Sequence, residues 1–290
     1  MTFISEKERI FGGLFGVAAG DAVGLTFEGM MPGPRYNLSV TGGGQFSLPA
    51  GAVTDDTMMT LSLLETYLSY GTFDREAFLL RMTRVVLQNP VTFGRTTKTL
   101  CVLLEQGCVS DEAVKVVDLL FGSRTNGSVM RTLPVGMICT PETVTSEARR
   151  VSAFTHYDPI AGDCCAAVSA AAAVLLAGGD KDEALAAAWD ASGRSDLFSG
   201  ALIPSVDAVA ATRCAFSCFR DSESVRDCIE CAVTLGGDTD TIASISGGLA
   251  GLYFGINDLP TEWVCRINIR KKITDCADAL MLARGAAQRA

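Results

Sequence analysis

Apolar residues recur three and four positions apart along almost the whole chain, and alternation at a spacing of two is nowhere sustained. Ile10, Leu14, Val17 and Ala18 fall on one face of a first helix, which runs into a Gly-Asp-Ala-Val-Gly turn at 20–24. The pattern then lapses from 31 to 53, where Pro32, Pro34, Gly42, Gly43, Gly44, Pro49 and Gly51 predict an irregular loop of a length usually reserved for a lid or binding loop. Periodicity resumes at Thr54 with Met58, Leu61, Leu64 and Leu68. Further helices are predicted at 74–88, 96–106, 110–121, 141–154, 159–177, 181–192, 205–219, 222–234, 239–254 and 261–288, with a short segment at 128–138 interrupted by Pro134. Asp158 is well placed as an N-cap, with Pro159 at the first helical position. With no linker and no repeat of fixed length, the reading is one all-α domain over 1–290.

Composition narrows this picture. Hydrophobic residues make up 48% of the chain and aromatics only 7%, so the helices must pack largely through small side chains. Gly247, Gly248 and Gly251 sit inside the predicted 239–254 helix although each costs up to ~1 kcal/mol relative to Ala, which points to another helix approaching its backbone closely. A net charge of −9 argues against nucleic acid and anionic membrane as partners. An anionic ligand would need local positive charge from bound cations, Arg side chains or helix N-termini. The apolar stretches at 10–20 and 164–177 are shorter than a membrane span, and the N-terminus lacks the basic start of a signal peptide. Eleven scattered cysteines and a single histidine fit neither a disulfide framework nor a zinc site; buried thiols in a reducing, cytoplasmic setting are expected.

Two acidic, threonine-bearing strings carry the chemistry. They are Thr54-Asp55-Asp56-Thr57 and Asp238-Thr239-Asp240-Thr241, the second preceded by Gly236 and Gly237. Each also reads as an ordinary helix start, since Thr and Asp cap N-termini and acids suit the first turn. A cap needs one oxygen, however, and here consecutive or alternating acids are flanked by hydroxyls. Hard divalent cations take such oxygen donors. Brought together without a cation, each pair of like carboxylates at ~4 Å would cost on the order of 4 kcal/mol at an effective dielectric of about 20.

Five stretches, in this order, resemble the ADP-ribosylglycohydrolase family: Gly16 to Gly24 (Gly-Val-Ala-Ala-Gly-Asp-Ala-Val-Gly) followed by Glu28, the Gly42-Gly43-Gly44 loop entering Thr54-Asp55-Asp56-Thr57, Asn126-Gly127-Ser128-Val129-Met130-Arg131, Thr155-His156-Tyr157-Asp158-Pro159, and Gly236 to Thr241. The resemblance implies an all-helical hydrolase that releases ADP-ribose from modified proteins or small conjugates by cleaving the bond at the distal ribose. It implies a pair of Mg²⁺ or Mn²⁺ ions held by Thr54, Asp55, Asp56, Asp238, Asp240 and Thr241, with Thr57 and Thr239 supporting the helix starts. Glu28 would stabilise positive charge or move a proton beside Asp55 and Asp56, and Asp21 would hold the loop by hydrogen bonds. Asn126, Gly127, Ser128, Val129 and Met130, with His156, would bind substrate, the backbone N–H groups of 127–129 cradling a diphosphate.

One position departs from the pattern. Relatives acting on ADP-ribosyl-arginine carry an acid two places before the glycine of a Gly-x-Thr-Thr segment; here that segment is Gly94-Arg95-Thr96-Thr97 and the position is Thr92. A carboxylate grips a guanidinium bidentately and a threonine does not, which weighs against arginine as the leaving group and toward an O-linked bond (serine or an acetyl ester) or a free small conjugate. A non-catalytic ADP-ribose-binding module and a metal phosphohydrolase of nucleotide pyrophosphates are the competing readings.

Overall fold

The computed structural model describes residues 4–35 and 38–287. Among these it forms fourteen α-helices: α1 (Glu6–Gly24), α2 (Asp55–Tyr70), α3 (Arg75–Gln88), α4 (Arg95–Glu105), α5 (Ser110–Phe121), α6 (Leu133–Ile138), α7 (Val144–Ala153), α8 (Pro159–Leu176), α9 (Lys181–Ser192), α10 (Ala208–Asp221), α11 (Val225–Leu235), α12 (Thr239–Phe254), α13 (Thr261–Arg266) and α14 (Arg270–Ala287). Extended pairing among the described residues is limited to two isolated bridges, Gly43 with Leu48 and Thr125 with Asp207. The all-α expectation is met.

At the centre α1 and α12 lie antiparallel, backbone against backbone. The small residues expected to admit a neighbour on α12 face a matching stripe on α1 at Gly12, Gly16, Gly20 and Gly24. A Cβ on Gly16 would stand 2.1 Å from the Gly247 carbonyl oxygen, and one on Gly20 would stand 2.0 Å from that of Ala243. No side chain fits there. Around this pair pack α2, α8, α10, α11 and α14; α6, α7 and α9 lie against α8, while α3, α4 and α5 extend outward from α2. The Ala-rich α8 is a core helix, capped by the Asp158 carboxylate, which accepts from Ile160 N at 2.8 Å. Glu6–Phe27 and Pro159–Leu176 are long and apolar enough to span a membrane by composition, but 83% and 72% of those windows are buried against other helices.

Several boundaries differ from the sequence reading by a few residues, and three of the differences have an identifiable local reason. Pro134 lies in the first turn of α6 rather than interrupting a helix, because there its missing N–H has no partner to lose. The 205–219 helix begins only at Ala208, where the Asp207 carboxylate accepts from Val209 N and Ala210 N. The predicted 261–288 helix breaks between Arg266 and Arg270, since Asn268 N donates to Gly51 O at 2.9 Å and leaves the helical ladder. Residue 288 lies outside the described residues. All eleven cysteines are free; Cys108 and Cys265 are exposed, and the other nine are buried or half-buried.

The α1–α12 contact predicts opposite outcomes for one chemical change. Gly16→Ala forces the helices apart, an overpacking cost of about 1–3 kcal/mol or more that outweighs the propensity gain. Gly162 in α8 meets only ordinary contacts, the nearest being Arg149 Cγ at 3.5 Å. Gly162→Ala is therefore neutral or stabilising by up to ~1 kcal/mol. Thermal melts read both; a Gly16→Ala melt at or above that of the unsubstituted protein contradicts the close-contact account.

Candidate active site

The antiparallel pairing brings the C-terminal end of α1 to the N-terminal end of α12, and a buried carboxylate joins this corner to α2. Asp21 accepts from Thr54 N at 2.9 Å, Thr54 Oγ1 at 2.9 Å, Thr57 N at 3.1 Å and Thr57 Oγ1 at 2.5 Å. Burial pushes its carboxyl up to about 6 although these donors pull the other way. Asp21 thus closes the α2 N-terminus from outside, in the loop-holding role expected of it. Thr54 is the N-cap of α2, and Asp55 and Asp56 are left to face inward.

The second string is aimed by its glycines. Gly236 and Gly237 adopt φ of +73° and +65°, and a Cβ on either would come within 2.5 Å of a neighbouring carbonyl oxygen, Met30 for the first and Pro204 for the second. Gly237 N donates to Met30 O and Gly29 N donates to Gly237 O, both at 2.9 Å, which holds the segment carrying Glu28 beside α12. Thr239 supports its helix start by donating through Oγ1 to Gly24 O at 2.8 Å and through its N–H to Glu28 Oε2 at 2.9 Å. Asp238 does not cap α12 with its side chain; it accepts from Asn126 Nδ2 at 2.6 Å.

The two acidic strings therefore meet. Thr241 Oγ1 lies 3.5 Å from Asp56 Oδ2, and Thr54 Oγ1 lies 3.2 Å from the same atom. Asp56 Oδ1 is buried and has no partner. Oxygen atoms of Glu28, Asp238 and Asp240 converge to within 4.8 Å of one another. Burial first, then neighbouring acids, raises Asp55, Asp56 and Asp240 well above the usual carboxylate range. Glu28 is pushed up to about 7 by burial and by the Asp238 charge. An orphaned buried oxygen among crowded carboxylates is the donor set a hard divalent cation fits. The Glu28 position adds to the sequence reading, which gave it a catalytic role only.

These groups line a cavity of about 440 Å³ together with Phe46, Thr92, Arg95, Phe121, Thr125, Asn126, Gly127, Met130, His156 and Val206. Larger grooves of about 710 Å³ between α2 and α14 and about 800 Å³ along α3 to α5 contain no convergent carboxylates. Of the expected metal ligands, Asp55, Asp56, Asp238, Asp240 and Thr241 line the cavity; Thr54 stands behind Asp56. Of the expected substrate contacts, Asn126, Gly127, Met130 and His156 line it, whereas Ser128 and Val129 do not. The Ser128 hydroxyl is engaged by Ser152 at 2.8 Å and Cys165 at 3.4 Å. Val129 N donates to Asn126 O at 2.8 Å, so the turn consumes an N–H expected to cradle a diphosphate. Phe46, Phe121 and Val206 were missed because isolated apolar residues in loops and at a helix end carry no periodic signal. Thr125 adjoins a motif and was legible in principle.

The family model for ADP-ribosylglycohydrolase matches residues 4–290. A Pseudomonas putida protein named ADP-ribosylarginine hydrolase Tri1 is 30% identical over 94% of this chain and 78% of its own length. The ADP-ribosyl-[dinitrogen reductase] glycohydrolase of Rhodospirillum rubrum is 25% identical over 98% of this chain and 99% of its own. A solved structure described as an ADP-ribosylglycohydrolase-related protein complex superposes with a TM-score of 0.79 at 25% identity, covering 95% of this chain and 97% of the other. A cavity floored by two acidic strings, on a fold shared over nearly all of its length, has an ancestry that these matches make plain: the chain belongs to the ADP-ribosylglycohydrolase family.

Proposed function

We propose that this protein is a divalent-cation-dependent hydrolase that cleaves the glycosidic bond at the distal ribose of ADP-ribose conjugates and releases ADP-ribose. The observation that carries the reading is the convergence of Glu28, Asp238 and Asp240 within 4.8 Å, beside an unpartnered Asp56 oxygen, on one cavity floor. Asp55, Asp56, Asp238, Asp240 and Thr241, with Glu28 and with Thr54 behind them, would hold one or two Mg²⁺ or Mn²⁺ ions. Such ions supply orientation of sugar hydroxyls and activation of a water.

The chain's own groups do the rest. Glu28 is fixed by Thr239 N at 2.9 Å and approached by Gln45 Nε2 at 3.4 Å, so its carboxyl stays aimed at the cavity. A carboxyl held near neutrality suits a group that moves a proton or balances oxocarbenium-like charge. Asn126 orients Asp238 through its amide. Thr92 and Arg95 also line the cavity, with the Arg95 guanidinium 4.4 Å from the Phe121 ring centre. Neither side chain offers a carboxylate to a guanidinium leaving group, and this pair favours a neutral one, a serine or ester oxygen. The relatives' names weigh toward arginine, and the linkage is decided by assay.

Purified protein with Mg²⁺ releases ADP-ribose from at least one of arginine-, serine- and acetyl-linked substrates, and chelator abolishes release. Absence of release from all three, or AMP as the product, removes the proposal; AMP selects a pyrophosphatase, and tight ADP-ribose binding without turnover selects a binding module. Asp55→Asn and Asp240→Asn each lower the rate by about 100-fold or more, as loss of a group stabilising charge in a closed site does.

A pH dependence follows from the crowding. Burial raises these carboxyls in the folded state, so the cation-free folded protein binds more protons than the unfolded chain. Its stability therefore falls as pH rises from the ordinary carboxylate range through about 7, where Glu28 ionises. Divalent cations require the ionised forms. Saturating Mg²⁺ or Mn²⁺, which at 100 times its Kd contributes about 2.7 kcal/mol, raises Tm by several degrees at pH 8 and much less at pH 5. Equal gaps in calorimetric melts at the two pH values contradict the cation site.

A further inference from the structure

Behind the cavity wall sits a cation with no carboxylate beside it. Arg131 is 1% exposed, stacks over the Phe78 ring at 5.1 Å, and forms no ion pair among the described residues. Its Nη1 donates to Gly127 O at 2.8 Å and its Nη2 donates to Thr155 Oγ1 at 2.7 Å. Thr155 Oγ1 lies 2.8 Å from His156 Nδ1, and His156 Nε2 lies 3.0 Å from Thr125 Oγ1. Thr125 and His156 both line the cavity.

The polarity of this chain is fixed at its buried end. A guanidinium only donates, so Thr155 Oγ1 accepts from Arg131 and has one proton of its own to give. Two acceptors compete for that proton: His156 Nδ1 at 2.8 Å and the Ser152 carbonyl at 3.5 Å. Hydroxyl bonds fall at roughly 2.5–3.0 Å, so the nitrogen takes it. Nδ1 is then an acceptor, and the neutral ring carries its hydrogen on Nε2, which donates to Thr125 Oγ1. The Thr125 proton is left to point outward. Burial, and then the Arg131 charge, hold His156 down to about 3, so the ring stays neutral at working pH. Arg131 also fixes the turn that covers the ring: a Cβ on Gly127 would stand 2.9 Å from His156 Nε2.

We propose that Arg131 is a positioning residue which, through Thr155, holds His156 as the Nε2–H tautomer and thereby makes Thr125 a one-way hydrogen-bond donor to an acceptor oxygen of the substrate. The last step rests on the ADP-ribose reading above; the tautomer does not. Each donor in the series polarises the next, so a positive charge sealed from water strengthens a donor at the cavity surface.

His156 is the sole histidine, so a ¹⁵N spectrum of histidine-labelled protein reports one imidazole. In the ligand-free protein Nε2 resonates as a protonated nitrogen and Nδ1 as an unprotonated one; the reverse assignment overturns the proposal. Thr155→Val removes the relaying hydroxyl while leaving Arg131 in place, and Thr155→Ser restores it. The valine variant shows tautomer averaging and binds ADP-ribose about 3- to 10-fold more weakly by calorimetry, the range for one net hydrogen bond. The serine variant recovers both. A folded Thr155→Val protein that keeps the pure Nε2–H form and full affinity overturns the relay. No ADP-ribose binding by the unsubstituted protein, with the Nε2–H form intact, overturns the functional reading while supporting the tautomer assignment.

Discussion

The contact between α1 and α12 governs everything downstream, because two helices touching through their backbones have no freedom to slide. With Gly16 against Gly247 and Gly20 against Ala243, a register shift of one residue would drive a side chain into a carbonyl. That register delivers Asp21, Gly24 and the Glu28 segment to the start of α12. Asp21 then recruits α2 through four donors, and Thr239 ties α12 to Gly24. The acidic corner is thus a consequence of helix packing, and from the 31–53 loop Gln45 and Phe46 reach it without building it.

The same corner concentrates negative charge beyond what local structure neutralises. The N-termini of α2 and α12 both point into it, and a helix terminus offsets roughly 0.3–1 kcal/mol per charge near the surface. Each close carboxylate pair opposes this with on the order of 4 kcal/mol. The helix ends lose by a wide margin. Protonation or cation binding must make up the difference, and the raised carboxyls of Asp55, Asp56, Asp240 and Glu28 are the cation-free form of that imbalance. The unpartnered Asp56 Oδ1 locates part of the deficit on one atom.

Much of this was legible in the sequence, for identifiable reasons. Helical periodicity and the Asp158-Pro159 cap are local signals, so α8 was placed to within a residue. The doubled acids exceeded what capping requires, so the two strings stood out before anything was known of their separation. What escaped is non-local. The α1 glycine stripe has meaning only once α12 lies against it, and Asn268 leaves the helix only because Gly51 arrives from far away in the chain. The family resemblance and the Gly-containing turn point to the Ser128 and Val129 backbone N–H groups as substrate contacts. In three dimensions the turn folds back on Asn126 and turns Ser128 toward Ser152.

A strongly acidic chain that handles an anionic ligand, as proposed above, needs positive charge, and cations on the acidic floor would supply only part of it. Arg95, exposed at the cavity lining, lies over the Phe121 ring and is screened by solvent. Arg131, buried behind Thr155 and His156, acts differently: its charge works through hydrogen-bond polarisation and the guanidinium never meets the acids. Desolvating an arginine is costly, and the Nε of Arg131 has no partner to offset it. Two short hydrogen bonds and the Phe78 face recover part of that cost. The remainder is stability given up to a directional donor, and such an expense is intelligible at a binding wall and nowhere in an ordinary core.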